Sequence, residues 1–214
     1  MRLGKDVVRC VYAGMTGPAL FVAATLFMHG VQPELSVLND AVSYYMNGPF
    51  GWVLGFGLIA IGTGSLALWL AVRRVHLKSA AGQAALVVWA IGAIVGGIFP
   101  PDPRGSWDKP PSISGMIHAN TAMVALLALP VAALLLSKRI AATSGSRAIQ
   151  RALRALGIAS LATAVIFFAS LAPVFAGGPP YLLGLSERVL LLVYVAWLTV
   201  AALAVRGCLR PEER

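Results

Sequence analysis

The chain has 214 residues, 58% of them apolar and 12% charged, with a mean hydropathy of +0.81. Soluble domains run at about 45–50% apolar and about 25% charged residues, so an ordinary soluble domain and a disordered chain are both excluded. The 17 Lys and Arg against 8 Asp and Glu leave a net +9, a nucleic-acid signature on a soluble protein but a question of loop placement on a membrane protein.

A helix needs roughly 20 apolar residues to cross a bilayer core. In chain order, residues 11–31, 51–72, 81–99, 115–136, 155–176 and 187–205 meet that requirement, and Arg188 is the only Lys or Arg inside any of them. Each is apolar around its whole circumference, so length and flanking charge decide for spanning helices. The predicted fold is all-α: a single-domain, compact bundle of six transmembrane helices over residues 1–214.

The first segment follows a basic stretch, 1–9, that resembles the start of a signal peptide. Its apolar run is too long and no small-x-small cleavage site follows, so it reads as a retained span. Beyond it, the connection 32–49 carries Glu34, Asn39, Asp40, Tyr44, Tyr45 and Asn47, with a short interfacial helix predicted to start near Ser36. The second and third spans hold the small-residue pairs Gly51 with Gly55 and Gly92 with Gly96, which let helix backbones approach closely. Pro18, Pro130 and Pro173 are predicted to kink or end their helices.

Sorting the charges by connection turns the net charge into an orientation. Arg2, Lys5, Arg9, Arg73, Arg74, Lys78, Lys138, Arg139, Arg147, Arg151, Arg154, Arg206, Arg210 and Arg214 fall on one side, with only Asp6, Glu212 and Glu213 among them. Arg104, Lys109 and Arg188 face Glu34, Asp40, Asp102, Asp108 and Glu187 on the other, giving +11 against −2. The positive-inside rule then places both termini in the cytoplasm and predicts no nucleic-acid partner; the basic rim suits anionic lipid head groups. Cys10 and Cys208 lie at the inner helix ends and are predicted to be free thiols.

The middle of the membrane is nearly free of ionisable side chains, which argues against an ion-coupled carrier or pump. The unusual residues gather at the outer helix ends: His29, Asp102, His118, Asn120, Glu187 and Arg188. Each has a plain structural reading. Asp102 suits a solvated turn between prolines, and Ser186-Glu187 suits a helix start, where a carboxylate complements the dipole. Arg188 can snorkel to head groups, His29 and His118 can make structural hydrogen bonds, and His76 sits in a basic loop. Trp52, Trp89, Trp107 and Trp197 read as belt or packing aromatics.

Taken together, the outer residues also suit a shared site. Asp102, His118 and Glu187 are the candidate catalytic residues for acid–base work, with Arg188, Asp40, Tyr45, Asn120 and Trp52 as candidate substrate contacts. The predicted substrate is a membrane lipid, or a lipid-like or isoprenoid molecule whose tail the helix walls would hold. No cofactor is predicted: zinc would need ligands from separate helices, since no HxxxH or HExxH pair occurs, and haem would rest on His29 and His118 alone. Three functions remain open: an enzyme, a lipid carrier or sensor, and a structural or assembly subunit using Glu187–Arg188 and Asp102–His118 as interhelical clamps.

Several short motifs run through the chain: Leu35-Ser36, then Tyr45 before Gly48-Pro49-Phe50-Gly51-Trp52; Phe99-Pro100 with Asp102; Gly115-Met116-Ile117-His118; and Gly184-Leu185-Ser186-Glu187-Arg188. With these the chain resembles the family catalogued as domain of unknown function 998, small six-span prokaryotic membrane proteins, over about residues 14–205. The resemblance implies a multi-pass protein of the cytoplasmic (inner) membrane and supports Asp102, His118, Glu187 and Arg188 as a set. It brings no assigned activity.

Overall fold

The computed structural model describes residues 2–106 and 109–208. The expectations placed on Trp107, Asp108, Arg210, Glu212, Glu213 and Arg214 lie outside the described residues. Six helices form: α1 (Arg2–Val31), α2 (Gly51–Arg74), α3 (Ala80–Ile98), α4 (Ile113–Thr143), α5 (Arg147–Phe175) and α6 (Leu183–Gly207). All six are long and apolar enough to cross a membrane, and no strand occurs among the described residues.

Several helices run further than their apolar segments. Polar residues can continue a helix beyond the hydrocarbon boundary when a cap fixes its start. Thus α5 begins at Arg147 because Ser146 accepts the Ile149 amide at its N-terminus, and α4 begins at Ile113 under Ser112, which accepts the Gly115 amide. Helices α1 and α4 continue through Pro18 and Pro130, so neither proline ends its helix, whereas α5 stops at Phe175, just past Pro173.

Each helix packs on the next in sequence, and α1 closes the ring against α6. The connections after α1, α3 and α5 therefore share one end of the bundle, called distal here. At the α2–α3 crossing, a side chain on Gly97 would come 2.6 Å from the Gly55 carbonyl oxygen, so both positions need glycine. Tryptophans pin the interior through polar handles. Trp89 donates to Ser65 Oγ at 3.0 Å and Trp197 to Ser137 Oγ at 2.8 Å, while Tyr194 donates to the Leu126 carbonyl at 2.6 Å. Trp52, by contrast, is 73% exposed, as a belt residue would be.

The α1–α2 connection departs from expectation. No helix starts near Ser36. The Asp40 carboxylate accepts the Ser36 amide at 2.7 Å and Ser36 Oγ accepts the Asn39 amide at 3.2 Å. Short polar side chains that take backbone amides in this way offer the chain an alternative to a helix. The helical turn comes later, as a 3-10 segment over Val42–Asn47, held from beneath by Gln32, whose Nε2 donates to the Tyr45 and Pro49 carbonyls.

Candidate functional site

The distal connections converge on the N-terminus of α6. The Leu185 amide donates to the Leu38 carbonyl at 3.0 Å, and the Leu182 amide to Asn39 Oδ1 at 3.1 Å. Glu187, 9% exposed, accepts the Val42 amide on Oε2 at 2.7 Å. Gly184 makes this docking possible: a Cβ there would overlap the Asp40 backbone. Leu182, at the N-cap of α6, adopts a left-handed backbone with φ 56°, a conformation that costs a non-glycine residue roughly 1–2 kcal/mol and is held here by the surrounding contacts.

Arg188 is the hub of that docking. Its Nε donates to His29 Nε2 at 3.0 Å and its Nη1 to the Asp40 and Gly184 carbonyls at 2.8 and 2.9 Å. Its Nη2 reaches Tyr45 Oη at 3.3 Å, with the guanidinium over the Tyr45 ring. Because an arginine only donates, His29 Nε2 must be the acceptor, so Nδ1 carries the ring proton and gives it to the Thr25 carbonyl at 2.6 Å. Arg188, His29 and Tyr45 are thus committed to each other and to the loop. Asp40 is committed too: it is 5% exposed and pairs with Arg104 at 2.8 Å, the one ion pair among the described residues.

A second set of side chains lines a cavity of about 450 Å³ between the distal halves of α4, α5 and α6. Asp102, His118, Asn120 and Glu187 all border it, together with Lys109, whereas Arg188, Asp40, Tyr45 and Trp52 do not. Met116, Met123 and Phe175 are exposed and also line it, so the cavity opens on the surface of the bundle. At the opposite half, α4 and α5 close tightly, with Ser137 Oγ donating to the Leu153 carbonyl at 2.9 Å. Behind His118 and Glu187 lies a smaller void of about 60 Å³ that runs toward Trp89 and Leu54.

Within the cavity Asp102, His118, Glu187 and Asn120 each have a defined hydrogen-bond partner. Asp102 accepts the Ser112 amide at the N-terminus of α4, where the helix dipole favours a carboxylate. Gly115 leaves room for it, since a side chain there would overlap the carboxylate. His118, 7% exposed, points Nδ1 at the Phe99 and Gly96 carbonyls, at 2.8 and 3.1 Å. Both partners only accept, so Nδ1 carries the proton and Nε2 offers a lone pair. Neither His118 Nε2 nor Glu187 Oε1 has a hydrogen-bond partner, yet no fully enclosed side-chain nitrogen or oxygen lacks one among the described residues. Both atoms therefore border open space rather than packed protein. Asn120 spends its amide on the Met116 carbonyl of its own helix.

His29 and His118 border different cavities, and both His29 nitrogens are engaged, so the two do not form a haem pair. Among the described residues no three His, Cys, Asp or Glu side chains form a metal-ligand group. The clamps expected between Glu187 and Arg188 and between Asp102 and His118 take a different form: Glu187 and Arg188 each hold the α1–α2 connection, and Asp102 and His118 each hold backbone around the α3–α4 connection. Lys109 and the Val42 amide escaped sequence reasoning, because only the folded connections bring them to α4 and α6.

A family model described as "Protein of unknown function (DUF998)" matches residues 15–204, and the chain belongs to that family. No curated protein and no solved structure matches the chain.

Proposed function

We propose that this DUF998 member holds a membrane-dissolved amphiphile in the α4–α5–α6 cavity and takes a proton from its polar end. In this reading the termini face the cytoplasm, as the charge asymmetry of the connections supports, and the cavity opens toward the outer leaflet. Met123, Phe167 and Leu171 line the apolar part of the cavity and suit a lipid or isoprenoid tail. The observation that carries the reading is the fixed ring of His118. With Nδ1 spent on two carbonyls, its one basic nitrogen is buried, unpaired and turned to a cavity shared with Glu187 and Asp102. A positioned neutral imidazole of this kind is the usual equipment of a general base.

The test uses the full chain in vesicles of bacterial polar lipid, with bound lipids and products followed by mass spectrometry. The wild type is expected to retain and convert a lipid species. His118→Asn, which keeps a donor for the carbonyls but has no basic nitrogen, is expected to retain it without converting it. Ala119→Trp, at an exposed position lining the cavity, is expected to do neither. Conversion by His118→Asn at the wild-type rate overturns the base role, and equal retention by Ala119→Trp overturns the cavity as the binding site.

A further inference from the structure

We infer that the cavity selects an amphiphile whose head is a primary ammonium group, and that Glu187 is the residue that recognises it. This deepens the proposed function and rests on the same cavity. Among the described residues, the buried end of the cavity lacks a free cation. Arg188, the cation that the sequence offers for an anionic head, spends its guanidinium on His29, Tyr45 and two carbonyls and does not border the cavity. Lys109 does border it, but as an exposed residue of the connection rather than at the buried end.

The buried end presents acceptors. His118 Nε2 is a lone pair, Glu187 Oε1 is unpaired, and Asp102 is a carboxylate nearer the mouth. Phosphate or sulfate would meet three acceptors there, with the neutral Ser43 hydroxyl as the donor beside them and Lys109 out on the connection. A head carrying N–H bonds can donate to such acceptors.

Charge narrows the choice from any donor to a cation. Glu187 is buried, receives a single backbone amide and makes no ion pair among the described residues. A carboxylate removed from water without a cation in contact is costly in its ionised form, and a bound cation supplies that contact. A hydroxyl head would satisfy the acceptors but leave that charge uncompensated. A quaternary ammonium would compensate the charge but bring no N–H to His118 or Glu187. The primary ammonium answers both demands.

The experiment measures binding of dodecylamine, dodecanol, dodecyl phosphate and dodecyltrimethylammonium to the detergent-solubilised full chain by native mass spectrometry. Dodecylamine is expected to bind at least tenfold more tightly than the other three. Glu187→Gln, whose amide oxygen can still accept the Val42 amide, is expected to lose about tenfold for the amine, near 1.4 kcal/mol, and little for the alcohol. Ala119→Trp is expected to abolish binding of all four. Equal binding of amine and alcohol, equal binding of amine and its trimethylated analogue, or preference for the phosphate overturns the ammonium assignment while the amphiphile site stands. Failure of every probe to bind the wild type, or binding indifferent to Ala119→Trp, overturns the amphiphile site as well.

Discussion

Replacing Arg188 by methionine separates an arginine that binds substrate from one that holds the fold. The side chain donates to four partners: His29 Nε2, the Asp40 and Gly184 carbonyls and Tyr45 Oη. Their losses do not add. The Gly184 carbonyl lies within α6, and His29 borders a groove of about 170 Å³ between α1 and α6 that water or lipid can reach. The Asp40 carbonyl belongs to a buried residue and is the partner most exposed to the full cost of losing its donor. A buried acceptor deprived of a charged donor costs about 1.5–3 kcal/mol, and the weaker contacts bring the total to about 3 kcal/mol. That corresponds to roughly a hundredfold rise in the population of the undocked α1–α2 connection. Hydrogen–deuterium exchange in nanodiscs reads it directly, because the Val42, Leu182 and Leu185 amides are protected by contacts across that interface. Arg188→Met is expected to speed exchange of these amides by about two powers of ten while leaving the α2–α3 interface unchanged. Arg188→Lys, a point charge without the planar fork, is expected to recover less than half of the protection on a logarithmic scale. Unchanged exchange in Arg188→Met would refute the hub and return the residue to the list of ligand contacts.

Gly184→Ala drives a methyl group into the Asp40 backbone. It is expected to cost about 1–3 kcal/mol and to lower the thermal unfolding midpoint in detergent; an unchanged midpoint would mean that α6 and the Asp40 backbone do not pack this closely. Ser137→Ala leaves the buried Trp197 indole N–H without its acceptor and is expected to destabilise by about 1–3 kcal/mol, whereas Ser137→Thr, which keeps the hydroxyl, is expected to cost less. Equal losses for the two variants in the same melting assay would show that packing, not the hydrogen bond, sets the cost.

The spans were legible because the bilayer imposes one simple demand, a long apolar run, and each helix satisfies it in the sequence itself. Helix ends were less so. The starts of α4 and α5 depend on the caps Ser112 and Ser146, which act within a turn but lie among many similar residues. The grouping of Asp102, His118 and Glu187 followed from their shared end of the bundle, and all three border one cavity. The division of labour among the polar residues was not legible. Arg188 and Glu187 are adjacent in sequence, yet a helix sends neighbours about 100° apart, so one enters the cavity and the other turns toward α1 and Tyr45. Whether a side chain has a spare donor or acceptor depends on backbone carbonyls that only the folded connections deliver, such as Phe99 to His118 and Asp40 to Arg188.

The bonds joining the α1–α2 connection to α6 link positions 145 residues apart for Val42 and Glu187 and 159 apart for His29 and Arg188. A ribosome delivers the chain from its N-terminus, so α1 and the connection after it leave the translocation machinery long before α6 does. Until the last helix inserts, the Val42 amide and His29 Nε2 have only water or lipid for partners, and the cavity has no Glu187. Assembly of the polar site is therefore the closing act of biogenesis. A nascent chain stalled before α6 can lie in the bilayer with five helices inserted and His118 already fixed, yet it lacks one wall of the cavity and the Glu187 carboxylate.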